Sequence, residues 1–593
     1  MKIVNTKLGK PYQLNPETQL AMERTNPFFN EYGEQSLPVS LPDSAYNRNI
    51  LGFPNVIQRR EKVQMVDASI QDGEFFTPCR QAILGISPSE SIETSFYINE
   101  GSFYSKLENT YITDVFAGET VDGVNTLDQA IEWIKSLNSS GGNEMFSVFM
   151  VKLDDDDNGQ QRFLNGHSNR KGSFFNEKDT TEVIDGQTIS VTRGFYLTPF
   201  LKANFVLKRL FLHFGYTLKD NFFFRTAPFP DMVFINNVAD SIVTGTIRID
   251  QLLPKVTCSK ILDLFRRKFC CEFVTDEVNH TVDIIMFNDV ISRTARTDLS
   301  HSLVGKLKIE YPETYRQITL EAEESVGGTT ETFDSLALIH SKYPTAVFNE
   351  KKGLFEREGY QIESSLTMRI TSVNEIVGDC SQRYYEGGSL ETETIKIPEA
   401  IPSANLYIGQ VQFLNSSLKA ANIEADSETE LSSDKESSSE DMYLMLAFAH
   451  KETSWLFTEG SVTNYIYKVI GRDTIDFKFG DYALVYNGPY GIFEKFYRQY
   501  DLLLRNSMHK VSAKLLLSQS QKMNLPSFGK LIINGAELLP NKLKYNLGKE
   551  NEPVESELYT TQLYEPVVLP QTIDELFPSV ETGYRWDAKT SYE

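Results

Sequence analysis

The chain has 593 residues, of which 40% are hydrophobic and 23% are charged, values that are typical of a globular protein with more than one domain. Its 58 Lys and Arg against 81 Asp and Glu give a formal net charge of -23, and no basic stripe offsets it, which argues against binding along a phosphate backbone. The five Cys are odd in number and lack CxxC spacing, so neither a disulfide framework nor a zinc site is expected.

The N-terminal sequence MKIVNTKLGKPYQL has neither the apolar stretch nor the small-residue cleavage site of a secretion signal. No run reaches the ~18 apolar residues of a membrane span. The most apolar stretch, 205–216, is interrupted by Lys208, Arg209 and His213. We therefore expect neither export by a signal sequence nor a membrane anchor.

A first β-rich domain is predicted over residues 1–120. Short apolar and polar stretches alternate between Pro, Gly and Asn, as in SLPVSLPD at 36–43 and ILGFPNV at 50–56. The next region, 121–190, is predicted to be β-rich with one short helix from Thr126 to Leu137, which ends before the turn-forming NSSGGN at 138–143.

One motif in region 121–190 is similar to a metal site. The sequence DDDDNG at 154–159 fits the first half of a calcium loop, with Asp154, Asp156 and Asn158 as weak ligand candidates. Position twelve, where a bidentate Glu is required, is Asn165, and the flanking sequences predict strands rather than helices. An acidic hairpin turn is the favoured interpretation, and calcium is the alternative.

Residues 191–300 are predicted to form a helix-hairpin connecting domain with a weak internal repeat. Thr198 and Pro199 predict the start of a helix that ends before Gly215, followed by strands at 216–224 and 231–237. The same order recurs as a helix over 261–269 and a hairpin over 271–287. Cys270 and Cys271 are interpreted as small buried hydrophobic residues, because neighbours on a strand point to opposite faces and chelate poorly.

A second folded region is predicted over 301–488, interrupted by an acidic, Ser-rich insertion at 424–441 that should be a mobile loop or linker, with a charged insertion that faces solvent as the alternative. Residues 489–565 follow, with a helix around Ile492 to Leu504 and strands at 510–518 and 529–540. An Asn534-Gly535 hairpin turn divides the second strand region. The segment 566–593 is predicted to be an extended tail that packs on a neighbour.

Motifs for catalysis or cofactor binding are absent from the sequence. The seven His, at 167, 213, 280, 301, 340, 450 and 509, form no HExxH pair. There is no G-x-S-x-G elbow, no G-x-x-x-x-G-K-[ST] loop and no G-x-G-x-x-G after a strand. A pair of carboxylates for glycoside hydrolysis stays open, because their separation is a three-dimensional property. We predict no catalytic residue and no cofactor.

Three parts of the chain resemble phage and prophage tail proteins. The first is 14–54, with NPFF at 26–29, SLP at 36 and again at 40, and Asn47 before the ending LGFP at 51–54. The second is SKILDLFRRKFCCEFVTDEVNHTVDIIMFND at 259–289. The third comprises PYGIFEKFYRQYDLLLRNSMHKVSAKLLLS, which starts at 489, and NGAELLPNKLKYNLG at 534–548. These segments are similar to the baseplate hub of contractile phages and to the tail-associated hub of siphophages.

The resemblance implies an α+β, β-rich, multidomain fold with two β-barrel-like domains, over 1–120 and 301–488, and helix-plus-sheet connecting domains. It implies a structural tail-tip or baseplate hub subunit, located in the virion after synthesis in the bacterial host cytoplasm. The expected partners are copies of the chain in a ring, most simply a homotrimer, together with the tail tube, the distal tail and the tip, spike or receptor-binding proteins. Genome DNA would pass through the ring without specific binding.

Two other functions stay open. One is a tail-associated enzyme that degrades cell wall, although the sequence ends without an evident lysozyme-like or peptidase domain. The other is the spike-hub of a bacterial contractile secretion system, which shares the barrel architecture. The favoured expectation is a protein that is not an enzyme.

Overall fold

The computed structural model describes most of the two ends of the chain and part of its middle. The described residues are 1–30, 34–54, 56, 65–98, 106–140, 142–149, 198–234, 246–276, 279–311, 314–326, 389–402, 442, 444–448, 482, 484, 491–506, 509–525, 527–549 and 551–561, with further short strands between 152 and 191, between 331 and 377 and between 450 and 476.

The helices are short. They are α1 Ala45–Ile50, α2 Ile112–Val115, α3 Leu127–Ser140, α4 Ala203–His213, α5 Phe222–Arg225, α6 Cys258–Phe269, α7 Phe287–Ser292, α8 Arg498–Asn506 and α9 Gln519–Asn524. Single 3-10 turns lie at Phe229–Asp231, Ile249–Leu252 and Ser300–Ser302, and a π-helical turn at Phe493–Tyr497 precedes α8. The helix predicted from Thr126 is confirmed as α3.

Strands dominate the described residues. In chain order they are β1 Lys2–Asn5, β2 Lys10–Pro11, β3 Leu20–Thr25, β4 Glu34–Ser36, β5 Val39–Pro42, β6 Val66–Asp72, β7 Phe75–Ser87, β8 Ser91–Ile98, β9 Phe146–Phe149, β10 Lys152–Leu153, β11 Arg162–Phe163, β12 Asn169–Arg170, β13 Ser173–Phe174, β14 Thr180–Ile184, β15 Gln187–Val191, β16 Thr198–Leu201, β17 Thr217–Leu218, β18 Met232–Phe234, β19 Cys271–Asp276, β20 Thr281–Met286, β21 Thr297–Asp298, β22 Lys308–Glu310, β23 Thr314–Val326, β24 Glu331–Thr332, β25 Val347–Asn349, β26 Leu354–Arg357, β27 Tyr360–Glu363, β28 Thr367–Ile370, β29 Ile376–Val377, β30 Ser389–Pro402, β31 Leu446–Phe448, β32 His450–Lys451, β33 Thr458–Glu459, β34 Lys468–Ile470, β35 Thr474–Asp476, β36 Lys510–Leu515, β37 Leu531–Ile533, β38 Ala536–Leu547 and β39 Val554–Thr560.

The largest sheet has 14 strands, in the order β2-β1-β6-β7-β8-β4-β3-β38-β39-β36-β22, with β5 on β8, β37 on β38 and β21 on β37. All of its pairs are antiparallel except β21 with β37. Strand β3 pairs with β38 from Leu20 opposite Leu547 to Thr25 opposite Lys542. The segments 1–120 and 489–565, which the sequence predicts as separate units, therefore contribute to one sheet.

A tight turn at Asn534-Gly535 joins β37 to β38, as predicted. Both residues have positive φ, 52° and 78°. Two successive positive φ angles are the geometry of a type I′ turn, which Asn and Gly adopt at low cost and which suits the twist of a hairpin.

Buried apolar side chains form two cores, as expected of a multidomain α+β protein. The sheet core lies on the large sheet and contains side chains from Ile3 to Ile98 and from Val511 to Leu558. The helix core contains side chains from Leu107 to Val290, joined by others from β23, β30, β31 and α8. In the helix core, Phe rings meet edge to face, as at Phe223 and Phe265, whose centroids lie 5.4 Å apart.

The predicted start of a helix at Thr198 and Pro199 is wrong. Thr198–Leu201 forms β16, which pairs with β9, and α4 begins at Ala203 with Lys202 as the preceding residue. Pairing with a distant strand here outweighs the local preference of Pro for a helix start, because propensity is only a weak bias beside tertiary contacts.

The predicted internal repeat is only half present. The second unit is confirmed, because β19 and β20 form an antiparallel hairpin after α6. In the first unit, β17 pairs in parallel with β20, and β18 pairs with β31. Part of the predicted strand 216–224 is the helix α5, because the Asn221 side chain accepts a hydrogen bond from Phe223 N at 3.0 Å and caps that turn.

Smaller sheets occupy the predicted second β domain. Strand β23 runs parallel to β30 and antiparallel to β29, and β24 to β28 form a five-stranded sheet. Closure of either β domain into a barrel stays a prediction. The acidic insertion 424–441 and the tail 566–593 lie outside the described residues.

Candidate functional site at the junction of two cores

The segment after β3, Asn26 to Asn30, lies where the two cores meet. Leu20 and Met22 of β3 belong to the sheet core, whereas Phe28 and Phe29 pack against the helix core. This segment and the side chains that it contacts on β38, β39, α7 and α8 are called the junction. It includes the NPFF motif, so its chemistry bears directly on what that motif does.

Asn26 holds the junction to β38 by hydrogen bonds. Its backbone N–H donates to Asn541 O at 2.8 Å, and its side-chain Nδ2 donates to Pro540 O at 2.7 Å. The pairing of β38 with β39 shifts register between Pro540 and Lys542, so these carbonyls lie at a β-bulge. Asn26 is 1% exposed. It therefore provides donors to buried carbonyls at a place where the regular ladder is interrupted.

Aromatic rings bind the same segment to the helices. The Phe28 ring lies 5.2 Å from Phe287 at the start of α7, and Phe29 lies 5.9 Å from Tyr500 of α8 and 5.3 Å from Tyr559 of β39. Phe287 and Tyr500 also meet, at 4.8 Å. Such edge-to-face and tilted pairs each add about 0.5–1.5 kcal/mol beyond their area burial. The junction thus connects four elements.

A buried ionic network surrounds Arg24 of β3, two residues before the junction begins at Asn26. Arg24 donates to Glu34 Oε1 at 2.8 Å, to Leu525 O at 2.6 Å and to the Tyr545 hydroxyl at 3.3 Å. Burial, followed by the charge of Glu34, raises the pKa of Tyr545 well above its ordinary value. The hydroxyl therefore keeps its proton and donates a hydrogen bond to Glu34 Oε1. The network joins β3, β4 and β38 across the middle of the large sheet.

A second buried pair connects α6 to β30. The Lys268 ammonium contacts Glu399, and their side chains are 0% and 1% exposed. Burial lowers the pKa of Lys268 below its ordinary value despite the opposing effect of Glu399. Charges in such a place require a partner, so this pair fixes the strand that must lie beside the helix.

The calcium-loop candidates Asp154, Asp156 and Asn158 lie outside the described residues. Their flanks are described: Lys152–Leu153 pairs antiparallel with Arg162–Phe163, as β10 and β11. The motif therefore connects two strands of a hairpin, whereas helices flank the loop of an EF-hand. Whether it binds calcium stays a prediction.

The cysteines within the described residues are unpaired and buried: Cys79, Cys258, Cys270 and Cys271. Burial raises the pKa of Cys258 to about 12 and the pKa of each of the others further. Thiols of this kind stay protonated at neutral pH and are poor nucleophiles. Cys270 also ends α6 in a left-handed conformation with φ 46°. Cys380 lies outside the described residues.

Among the described residues, no group of three or more His, Cys, Asp and Glu side chains has a metal-binding arrangement. A cleft of about 260 Å³ opens at the start of α6, lined in part by Thr257, Lys260, Asp263 and Glu323. Its lining already includes an ion pair, Lys260 with Glu323 at 2.9 Å.

The residues with the strongest structural roles are ones that the sequence did not single out. NPFF lies in a segment that resembles tail proteins, whereas Arg24, Glu34, Lys268 and Glu399 belong to no functional motif in the sequence. A charged residue on the apolar face of a helix, as Lys268 is on α6, is a signal for burial, but its partner Glu399 is 131 positions away and has no local pattern. Of the helices in the described part of the chain, none has the length and apolar character needed to cross a membrane.

Comparisons with known proteins give matches among solved structures. No family model matches the chain, and no curated protein matches it. Among solved structures, the chain is similar to a 43 kDa tail protein of prophage MuSo2 from Shewanella oneidensis, over 94% of this chain and 98% of that one. The identity is 8% and the TM-score is 0.28. A TM-score this low demonstrates neither a common fold nor a common function, so any proposal has to rest on the sequence and the geometry above.

Proposed function

We propose that this protein is a structural, non-enzymatic subunit of a bacteriophage tail, a hub that joins the tail tube to the tip or the receptor-binding proteins. The support from sequence is the resemblance of 14–54, 259–289 and the segments at 489–518 and 534–548 to phage tail proteins. The support from geometry is that these segments contact one another in the fold.

The observation that carries the proposal is that the resembling segments, far apart in sequence, meet at the junction. Asn26 and Phe29 come from the first, Phe287 from the second, and Tyr500 and Asn541 from the third. A further bond joins the second and third, from Asn288 Nδ2 to Lys495 O at 2.7 Å. These side chains make contacts within the chain rather than present groups to a ligand. Their common effect is to fix two cores relative to each other, as a connecting subunit requires.

We further propose that copies of the chain form a ring, with three as the number that the resemblance implies. Genome DNA would pass through such a ring without specific binding. The formal charge of -23 is compatible with that passage, because an acidic surface does not adhere to phosphates. The mature protein would then be found in the virion, in contact with the tail tube and the tip proteins.

The test is the location of the chain in virions. Gold-labelled antibody against the chain should mark the tail tip in electron micrographs, and mass spectrometry of purified virions should detect the full chain. A gene deletion should yield particles without functional tails, and wild-type chain supplied in trans should restore them. Absence from purified virions, or clearing of purified cell wall by this chain alone in a zymogram, would overturn the proposal.

A further inference from the structure

The two edges of the large sheet differ in whether a neighbouring element covers them. At one edge, β2 contains Pro11, and α1 holds Gln13, two residues further along the chain: Gln13 N donates to Asn47 Oδ1 and Asn47 Nδ2 donates to Gln13 O, both at 2.9 Å. At the other edge, β22 pairs only with β36 among the described strands. Alternate residues of an antiparallel strand direct N–H and C=O groups to opposite sides, so β22 also directs backbone groups outward.

Apolar and charged residues alternate along β22 and the residues on either side of it. Ile309 is 52% exposed and Tyr311 is 66% exposed, and they share a face with Leu307. On the opposite face, Lys308 and Glu310 form an ion pair with side chains that are 72% and 42% exposed. The Tyr311 ring lies 4.8 Å from His509, which directly precedes β36. The apolar side chains of Leu307, Ile309 and Tyr311 therefore extend the buried face of β36 to the exposed edge of the sheet.

We propose that β22 pairs with β22 of a second copy of this chain, antiparallel and about a twofold axis at Ile309. In that register Lys308 of each copy lies opposite Glu310 of the other, and the two Ile309 side chains lie opposite each other. One residue further out, Leu307 lies opposite Tyr311. Every charged position thus meets its opposite charge, and every apolar position meets an apolar one.

Charge complementarity is what selects a second copy as the occupant. The order Lys-Ile-Glu is complementary to itself when one strand is reversed, whereas an unrelated strand would need a matching order of its own. The contact is isologous and closes after two copies. It does not depend on the tail role and is separate from contacts that would close a ring, so a ring of three that also used it would be found with six copies.

The experiment uses the full-length chain and two charge reversals, Lys308→Glu and Glu310→Lys. Wild-type chain should give even-numbered assemblies by native mass spectrometry and sedimentation, measured at about 0.15 M salt, where the screening length of about 8 Å limits repulsion between acidic copies. Each reversal alone should weaken association at least about tenfold, because like charges then lie opposite each other. Equal amounts of the two variants, one labelled with ¹⁵N, should form mixed dimers.

The mixing step separates the proposed contact from effects within one chain. Both variants lose the internal Lys308–Glu310 pair, so recovery on mixing can come only from pairing between copies. The matched control is Lys514→Glu. Lys514 is exposed on β36 and pairs with Glu555 on the neighbouring strand β39, so this charge reversal should leave association unchanged. Only odd-numbered assemblies, or reversals that behave as the control does, would overturn the inference, whether or not the chain is found in virions.

Discussion

The Asn26 amide donates to Pro540 O at the point where β38 steps out of register with β39. An amide is suited to this place because its Nδ2 donates to that carbonyl while its Oδ1 accepts from Phe28 N at 3.1 Å. Neither a hydroxyl nor a carboxylate offers a donor and an acceptor in the same planar geometry. The residue that opens the NPFF motif is therefore chosen by hydrogen bonding rather than by packing.

Replacing Asn26 should destabilise the fold. Asn26→Ala leaves the buried Pro540 carbonyl without its donor and should lower the free energy of unfolding by about 1–3 kcal/mol. Asn26→Asp should cost at least as much, because a carboxylate oxygen then faces that carbonyl. Denaturant unfolding followed by circular dichroism measures both. The control is Asn49→Ala at an exposed position of α1, with an expected change within about 0.5 kcal/mol. If Asn26→Asp were as stable as the wild type, the hydrogen-bonding role of Asn26 would be wrong.

His509 should make the stability depend on pH. Burial lowers its pKa below the ordinary 6.5, and its ring meets the Tyr311 ring edge to face beside β22. As the pH falls below 6.5, the unfolded chain binds a proton before the folded chain does, so the free energy of unfolding decreases. Above that pH both states are neutral and the contribution is constant.

The measurement is a set of denaturant midpoints on both sides of pH 6.5. His509→Gln should lose less stability on acidification than the wild type, whatever its stability at neutral pH. Asn49→Ala, which changes an exposed residue of α1 that does not titrate, should follow the wild-type pH profile. Parallel profiles for the wild type and His509→Gln would exclude this role.

Helix α6 makes two ion pairs that differ in burial, one with β30 and one with the neighbouring strand β23. Lys268 and Glu399 are almost fully buried, whereas Lys260 pairs with Glu323 of β23 with both side chains more than a third exposed. Exposed pairs contribute about 0–1 kcal/mol, but removal of one partner from a buried pair leaves a charge in a place without water and costs about 3–5 kcal/mol.

Lys268→Met should therefore destabilise the protein by about 3–5 kcal/mol. The double variant Lys268→Met, Glu399→Gln should recover most of that loss, because no isolated charge is left. Lys260→Met, on the same helix, should change the free energy of unfolding by no more than about 1 kcal/mol. A double-mutant cycle by thermal or denaturant unfolding measures the coupling, and equal losses for Lys268→Met and Lys260→Met would contradict the argument.

Elements with local signals were predictable from the sequence. Helix α6, the hairpin of β19 and β20, and the turn at Asn534-Gly535 each have their cap, periodicity or turn residues within a few positions. The start of α4 was mispredicted because Thr198 and Pro199 are typical of the start of a helix. In the structure they instead pair with the strand β9, some 50 positions earlier.

What the sequence could not predict is pairing across long distances. The contact of β3 with β38 joins residues more than 500 positions apart, and the bond from Asn26 to Pro540 has no local pattern on either side. Register in such a pair follows from which faces are buried, and that depends on the complete fold. The two ends of the chain were consequently assigned to separate domains, although they share the sheet core.

The large sheet makes the two ends of the molecule one cooperative unit. Strands from residues 2–98 and strands from residues 510–560 form two blocks of one hydrogen-bonded path that meet at β3 and β38, and Arg24 connects β3 to β38 through Tyr545. Loss of a strand in the middle of that path removes a neighbour from strands on both sides. Segments at opposite ends of the sequence should therefore open together.

Hydrogen exchange of an Arg24→Met variant tests this coupling. Removal of Arg24 leaves Glu34 as a buried charge without its cation, which should lower the free energy of opening by about 3–5 kcal/mol. Amides of β3 and β38 should then exchange roughly a hundredfold or more faster, by similar factors. Amides of α4, in the helix core, should keep their protection. Faster exchange in β3 with β38 unchanged would mean that the two ends fold independently, since a shared sheet cannot lose one of these strands without exposing the other.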